Sequence, residues 1–348
     1  MKRLFGLQKN RVFGLDIGSS AVKIVQLGRS EAGFVVSGAG IAEIASSAED
    51  SEEGREINIV RAIRNCLRST GIRTRFAVCG VCGPEVAVRY FTFPSLLPEE
   101  IEGAILLEAA QVCPFNIDEG VVDYQLIPSG DGNVTGVLVA VTNRLISAKR
   151  RLIKEASLSN VLTDVDGLAL LNCLSEYEEQ EPGRTTAVLN IGSSFTTLAV
   201  MSDNTLPFVR DMAYAGNDII KKIANEHDVS TDIVKDILSG REGPEQPELE
   251  LGESLAKACQ KLVADVTETL RYYAAQGKPG FVERIFVCGG FAPVKGFVEL
   301  LNSQLPTATV LWNPFDKISC NAGRRCRDIL EKNGPAMVVA TGLAMRSI

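Results

Sequence analysis

Residues 14–27 have the sequence GLDIGSSAVKIVQL, and residues 188–201 have the sequence VLNIGSSFTTLAVM. The two stretches begin 174 residues apart, which is half of the 348-residue chain. Each combines an apolar run, a Gly-Ser-Ser bend and a second run rich in β-branched residues, a pattern that predicts a β-hairpin with a tight polar bend. The repeat therefore predicts two similar α/β domains, each opened by such a hairpin.

The Gly-Ser-Ser bends have the chemistry of a phosphate-binding site. Backbone N–H groups and serine hydroxyls in a tight bend form a concave set of donors that suits an anion. Asp16 ends the strand before the first bend, where its carboxylate would hold a Mg²⁺ ion through a water molecule. Lys23 lies seven residues beyond Asp16 and would reach a phosphate across the hairpin; alternatively, it is a solvated strand residue.

A third glycine-rich element lies near the carboxyl end of the chain. The sequence predicts a strand at Glu283–Cys288 and a turn at Gly289–Gly290. It also predicts that Pro293–Leu301 form the first part of a helix. A strand followed by a glycine pair and the beginning of a helix favours a binding site for the adenosine end of a nucleotide. The predicted nucleotide-contacting residues are Asp16, Gly18, Ser19, Ser20, Lys23, Asn190, Gly192, Ser193, Ser194, Gly289 and Gly290.

These three elements, in this order along the chain, resemble the phosphate and adenosine motifs of the actin-like ATPase superfamily. Within it, the chain is similar over nearly its whole length to the PilM family of type IV pilus assembly proteins, with further similarity at residues 113–126 and 335–346. The resemblance implies an actin-like (ribonuclease H-like) duplicated two-domain α/β fold with four subdomains, one of them an inserted FtsA-like subdomain. It also implies ATP and Mg²⁺ as ligands, held between the two domains.

The resemblance implies a division of the chain into four subdomains. They are residues 1–83 with 159–184 (1A), residues 84–158 (the inserted 1C), residues 185–210 with 281–348 (2A), and residues 211–280 (2B). A polar link at 179–184 separates the two halves, and residues 240–252 are expected to form an exposed loop because they contain two prolines and four glutamates.

The second hairpin departs from the pattern of efficient ATPases in the superfamily, which usually have an aspartate where this chain has Asn190. Asparagine can accept a hydrogen bond from a metal-bound water, but it brings no negative charge and cannot act as a base. Whether the protein is an enzyme stays open at this point. The substitution favours nucleotide binding, with at most slow hydrolysis.

Composition limits the classes of partner. The net charge of −7 argues against general nucleic-acid binding, which needs a basic surface, and no apolar run approaches the ~20 residues of a membrane-spanning helix. We therefore expect a cytoplasmic protein without direct membrane insertion. The resemblance implies that it is held at the inner membrane through the N-terminal cytoplasmic tail of PilN, which would dock on the inserted block of residues 84–158.

Three features favour structural explanations over catalytic ones. The nine cysteines suggest free thiols in a reducing compartment, and Cys79 and Cys82 are expected in and beside a core strand rather than at a metal. The only histidine, His227, is expected on the solvent face of a helix. The basic run at 149–154 is interpreted as a solvated helix face, with an acidic partner as the alternative.

Two other functions remain open from the sequence. The first is a sugar or acetate kinase of the same superfamily, for which Asp164 and Asp166 are the candidate catalytic aspartates; an aspartate at a strand end is as often a helix cap. The second is a related scaffold, such as an FtsA-like cell-division filament or a component of a type II secretion system.

Overall fold

The computed structural model describes residues 12–346 apart from residues 32, 46–50, 129–131, 179–182, 203–204, 242–250 and 276–280. The predicted link at 179–184 and loop at 240–252 lie mostly outside the described residues. The strands are β1 (Phe13–Ile17), β2 (Ala21–Ser30), β3 (Gly33–Glu43), β4 (Phe76–Val81), β5 (Val86–Phe93), β6 (Gly120–Ile127), β7 (Val134–Thr142), β8 (Ser159–Val165), β9 (Thr185–Ile191), β10 (Thr196–Ser202), β11 (Thr205–Met212), β12 (Val282–Cys288) and β13 (Ala308–Leu311). The helices are α1 (Glu52–Thr70), α2 (Pro98–Val112), α3 (Asn143–Glu155), α4 (Asp166–Tyr177), α5 (Gly216–His227), α6 (Thr231–Leu238), α7 (Leu251–Ala275), α8 (Phe297–Gln304), α9 (Arg324–Asn333) and α10 (Val338–Ala344).

The chain divides into two compact units. Unit 1 contains Met1–Val81, Leu145–Cys173 and Pro314–Ile348, and unit 2 contains Cys82–Arg144 and Leu174–Asn313. This division differs from the sequence-based one at two places within unit 1. The resemblance implies that residues 145–158 belong to the inserted block and residues 314–348 to the second domain, whereas the contacts of both segments place them in unit 1.

The sheet of unit 1 contains the first repeated stretch. Its strand order is β3-β2-β1-β4-β8, in which β1, β2 and β3 are antiparallel neighbours and β4 and β8 run parallel to β1. All five residues of β1 are buried, as expected for a strand at the centre of a sheet covered on both faces. Phe13 and Leu15 join a cluster with apolar residues of α1 and α3, such as Ile63 and Ile153.

The sheet of unit 2 contains the second repeated stretch. Its strand order is β11-β10-β9-β12-β13, with β9, β10 and β11 antiparallel and β12 and β13 parallel to β9. The two sheets therefore share one order and one set of strand directions, which confirms the duplication that the repeat predicts. Helices α5, α7 and α8 supply apolar residues to one continuous core with this sheet, among them Ile219, Leu262 and Phe297.

A smaller antiparallel sheet with the order β5-β7-β6 completes unit 2. Helix α2 lies on one face of it, where Ile105 and Ala109 are buried against Phe91 and Leu138. The outer edge of β6 pairs with no strand among the described residues. This sheet accounts for most of the predicted inserted block.

Helix α10 lies against the face of β1 opposite to Phe13. A Cβ atom on Gly14 would lie only 2.0 Å from the carbonyl oxygen of Ala340 and 2.7 Å from the backbone nitrogen of Ala344. Only glycine permits this approach, because real Cβ contacts are longer than about 3 Å. The close contact explains why the carboxyl-terminal segment belongs to unit 1.

Several elements differ from those that the sequence predicts. Strands β11 and β13 and helix α9 were not predicted, because β13 is only four residues long and β11 contains Pro207, which disfavours a strand assignment. Helix α8 begins at Phe297 rather than Pro293, after a series of turns, and a 3-10 turn at Gly334–Met337 precedes the last helix, α10. In the described part of the chain, no helix is both long and apolar enough to cross a membrane.

Candidate functional site

The first hairpin brings Asp16 and Lys23 together. They are directly opposite each other in the β1–β2 register, and the Lys23 Nζ lies 3.0 Å from the Asp16 Oδ2, with only 15% and 11% of the two side chains exposed. The Gly18 N–H donates to the Ala21 carbonyl at 3.1 Å and closes the bend. Ser19 and Gly18 are half-buried and Ser20 is exposed, so the bend is accessible to a ligand.

Lys149 of α3 also reaches this hairpin, which the sequence analysis did not predict. Its Nζ donates a 2.8 Å hydrogen bond to the carbonyl oxygen of Ile17, immediately before the bend. The interpretation of the run 149–154 as a solvated face is therefore wrong for Lys149, although Arg150 and Lys154 are exposed. Helical spacing could have predicted the position of Lys149. It precedes the buried residues Leu152 and Ile153 by three and four positions, so it lies on the same face of the helix.

The second hairpin, in unit 2, packs against the glycine turn. Gly192 N–H donates to the Phe195 carbonyl at 3.0 Å and closes the bend, while Ser193 and Ser194 are half-buried. Gly289 has a φ of +99°, and a Cβ there would lie 2.3 Å from the Ile191 carbonyl oxygen and 2.7 Å from Asn190 Oδ1. A glycine is therefore required at 289 by conformation and by space.

Gly290 differs from its neighbour. It is exposed, and a Cβ atom at this position would meet nothing within 4 Å. In the Gly289–Gly290 turn, Gly289 is therefore buried against the end of β9, whereas the backbone of Gly290 is exposed to solvent. The open position is where a ligand could approach the main chain.

The amino end of α5 completes this part of unit 2. The N–H groups of Gly216 and Asn217 donate to the carbonyl oxygens of Gly192 and Ser193 at 3.0 and 2.9 Å. These bonds hold the second bend against the helix. Local sequence patterns do not connect this helix with the hairpin, because the contact depends on the path of β11 between them.

A cavity of about 350 Å³ lies in unit 2 between α6, α7 and α8, with Leu238, Leu255, Lys295 and Glu299 in its lining. Its lining is mainly apolar, with the charged side chains of Lys295 and Glu299. No local pattern in the sequence predicts this cavity, since its walls come from three separate helices.

Asp164, one of the two aspartates considered for a kinase, is held by neighbouring groups. Arg346 contacts the buried Asp164 carboxylate through two nitrogens, Nε at 2.6 Å and Nη2 at 3.2 Å, and the Val165 N–H donates to the same group at 2.8 Å. Asp166 is buried at the first position of α4. The contacts of Asp164 are those of a structural aspartate.

Other titratable groups have structural surroundings as well. Burial raises the pKa of Asp211, whose two oxygens accept hydrogen bonds from the Thr197 hydroxyl and the Gly83 N–H. Burial likewise raises the pKa of Cys79 in β4 to about 12, so its thiol is unreactive at neutral pH. His227 is half-buried, with Nε2 2.7 Å from the Ser254 hydroxyl. No cluster of three metal-ligating side chains occurs within the described ranges.

A family model described as type IV pilus assembly protein PilM matches residues 14–348. The chain belongs to the PilM family of type IV pilus assembly proteins.

Comparison with solved structures shows which fold the chain has. The chain resembles the structure described as "PilM-PilN type IV pilus biogenesis complex" with a TM-score of 0.80, 23% sequence identity, and coverage of 97% of this chain and 99% of that one. It also resembles the ethanolamine utilization protein EutJ from Carboxydothermus hydrogenoformans (TM-score 0.55, 15% identity, 96% and 88% coverage). A third match is a nucleotide-free diol dehydratase-reactivating factor (TM-score 0.55, 10% identity, 96% and 99% coverage). These matches confirm the actin-like α/β fold.

Proposed function

We propose that this PilM-family protein is an ATP-binding scaffold of the type IV pilus machinery that docks the N-terminal cytoplasmic tail of PilN. The observation that carries the proposal is the family match over residues 14–348, and the likeness to a structure solved as a PilM-PilN complex supports it. The protein would work in the cytoplasm and be held at the inner membrane by this partner. The family match does not favour a kinase, an FtsA-like filament or a secretion component.

The nucleotide would be held by the residues of both hairpins and the glycine turn. In unit 1, Gly18, Ser19 and Ser20 would donate to the outer phosphates, and the Lys23 ammonium would supply a positive charge there. Asp16 would orient a water molecule of Mg²⁺, a hard cation that prefers oxygen ligands. Because Lys23 is paired with Asp16 at 3.0 Å, both side chains are already positioned before a ligand arrives.

In unit 2, Gly192, Ser193 and Ser194 would contribute the second set of phosphate donors, and the Gly289–Gly290 turn would approach the adenosine through its exposed residue, Gly290. Asn190 contributes a neutral amide, with the Cys288 thiol 3.8 Å from its Oδ1. The amide cannot act as a base. Burial raises the pKa of the Cys288 thiol far above its ordinary value, so the thiol stays protonated at neutral pH and cannot act as a base either. The arrangement favours binding and slow hydrolysis over rapid turnover.

Calorimetric titration with ATP, in the presence of Mg²⁺ and in the presence of EDTA, tests the nucleotide site. We expect tighter binding with Mg²⁺ and a loss of about 5- to 150-fold for Lys23→Ala, because a charge-assisted contact is worth about 1–3 kcal/mol. Lys261→Ala is the matched control, since Lys261 pairs with Asp265 on the surface of α7. If Lys23→Ala and the wild type bind ATP with equal affinity, the first hairpin is not part of the nucleotide site.

The edge of β6 is the proposed docking position for the PilN tail. Tyr124 and Leu126 are 38% and 43% exposed and lie on the same face of the strand as Val122, which packs beside the cluster under α2. An extended peptide added to this edge would gain backbone hydrogen bonds, and the apolar side chains would provide specificity.

The outward N–H of Tyr124 is satisfied in the unbound protein. It donates a 2.9 Å hydrogen bond to the Asp123 Oδ1, which protects the edge from unspecific strand pairing. A docking peptide would replace this local bond with its own carbonyl oxygen. The Tyr124 N–H is therefore the group on which strand addition depends most directly.

Calorimetry with a synthetic PilN tail peptide tests this proposal. We expect micromolar affinity, about −8 kcal/mol, because ordering of the peptide offsets part of the interaction. Tyr124→Pro, which removes the outward N–H, should bind at least about tenfold more weakly than Tyr124→Ala, which keeps it. Equal affinities in the two variants would exclude strand addition at this edge, and no binding up to millimolar peptide would overturn the scaffold function itself.

A further inference from the structure

One end of unit 1 carries a concentration of basic residues. The segments 64–76 and 150–161 contain seven lysines and arginines and a single acidic residue, Glu155, in a chain whose net charge is −7. We call this region, formed by these two segments, the basic end. Its charge is opposite in sign to that of the protein as a whole.

The topology brings these two segments together. Strands β4 and β8 are parallel and begin side by side, with Phe76 opposite Ser159 and the Ser159 N–H donating to the Arg75 carbonyl at 2.8 Å. Helices α1 and α3 end beside them, where the Arg64 guanidinium donates to the Glu155 carbonyl oxygen. Two helix ends and two strand starts therefore share one surface.

The arginines and the lysine of the basic end point into solvent. Arg68, Arg73, Arg75 and Lys154 are exposed, and none of the four forms an ion pair with another described residue. Arg68 and Lys154 lie in the last turns of their helices, where a cation also stabilises the helix dipole. That explanation does not extend to Arg73 and Arg75, which lie in the loop between α1 and β4.

Exposed apolar side chains accompany these charges. Phe76 and Val161, on the neighbouring strands β4 and β8, are 37% and 38% exposed, and Phe76 directly follows Arg75. Strand β1, parallel to β4, begins at the same end. A surface that combines arginines with an exposed phenylalanine suits the headgroup region of a bilayer.

The basic end is separate from the candidate nucleotide site. In the β1–β4 register, Leu15 is opposite Cys79, so the Gly-Ser-Ser bend lies beyond the other end of β4. At about 3.3 Å per residue, the length of β4 places the bend about 17 Å or more from Arg75. The two surfaces could therefore be occupied at the same time.

We propose that the basic end docks on an anionic phospholipid surface. An acidic protein segment would pair with the arginines, but it would leave the exposed Phe76 and Val161 without a role. Nucleic acid is disfavoured by the acidic remainder of the chain. Contact with a bilayer uses both the charges and the apolar side chains.

Co-sedimentation of the full chain, without PilN, with lipid vesicles tests the proposal. We expect binding to vesicles of phosphatidylcholine with 40% phosphatidylglycerol, and little binding to pure phosphatidylcholine. Arg73→Gln/Arg75→Gln should lower the partition coefficient by about 30-fold, because each basic side chain near an anionic surface contributes about fivefold. Binding should also fall steeply when the salt concentration is raised to about 0.5 M.

The matched control is Arg325→Gln/Arg327→Gln, which removes the same charge from exposed positions on α9, a helix that contacts β3 at the opposite edge of the sheet. This variant should bind like the wild type.

Equal losses in the two variants would show that only net charge matters and would overturn the proposal. Equal binding to both kinds of vesicle, or tighter binding to a poly-glutamate peptide or a DNA oligonucleotide than to anionic vesicles, would overturn it as well. Thermal melting of each variant verifies the fold, and the PilN peptide titration is unaffected by these outcomes.

Discussion

Replacing Lys23 with methionine should destabilise unit 1, because it leaves the buried Asp16 carboxylate without its cationic partner. The two residues are opposite each other in the β1–β2 register, and their charged atoms are 3.0 Å apart. Methionine keeps most of the volume of the lysine stem, so the change removes the charge with little loss of packing.

The size of the effect follows from the burial of the pair. Removing one partner of a fully buried ion pair costs about 3–5 kcal/mol, whereas exposed pairs are worth about 0–1 kcal/mol. Because 15% and 11% of the two side chains remain exposed, we expect about 2–3 kcal/mol for Lys23→Met. Asp16→Asn/Lys23→Met should recover about 1–2 kcal/mol of this loss, since no charge is then left buried.

Urea unfolding of the wild type, the two single variants and the double variant measures the coupling between the residues. Lys261→Met is the control, because Lys261 forms an exposed pair with Asp265 within α7 and should change stability by about 0.5 kcal/mol or less. A Lys23→Met protein that is as stable as the Lys261→Met control, with no recovery in the double variant, would refute the reasoning.

Two further predictions concern the core of unit 1. Gly14→Ala should lower the unfolding free energy by about 3 kcal/mol or more, measured by urea unfolding, because its Cβ would lie 2.0 Å from the Ala340 carbonyl oxygen; a change below about 1 kcal/mol would mean that α10 shifts freely. Burial raises the pKa of Cys79 from 9.0 to about 12, so the folded protein keeps the thiol proton at pH values where the unfolded chain loses it. The stability that depends on this proton is therefore complete below about pH 9 and is lost as the pH rises towards 12. Between pH 8 and pH 10.5, Cys79→Ala should therefore lose about 2 kcal/mol less stability than the wild type, and equal losses would contradict the burial of this thiol.

The sequence predicted the repeated hairpins because their information is local. A run of β-branched residues, a Gly-Ser-Ser bend and a second run specify a hairpin through neighbouring residues alone. The pairing of Asp16 with Lys23 follows from the same register. Their roles in binding a nucleotide stay predictions, as does the division into four subdomains.

Lys149 shows where local patterns were insufficient. Four basic residues in a short run resemble a solvated face, yet the helix that carries them packs into unit 1 through Leu152 and Ile153, and this rotates Lys149 towards the Ile17 carbonyl. A helical-face analysis would have placed Lys149 on the buried side. It could not have identified its acceptor, which lies 132 residues away.

The sequence alone determined the duplicated α/β architecture and the three glycine-rich elements, since each depends on residues close together in the chain. Tertiary structure decided which distant segments meet. The contact of α10 with Gly14, the seat of Gly289 on the end of β9 and the meeting of α1, α3, β4 and β8 at the basic end all join segments far apart in sequence. The reason is physical: hydrophobic burial and close packing select those partners by shape and space in the whole fold, and no local pattern of residues encodes them.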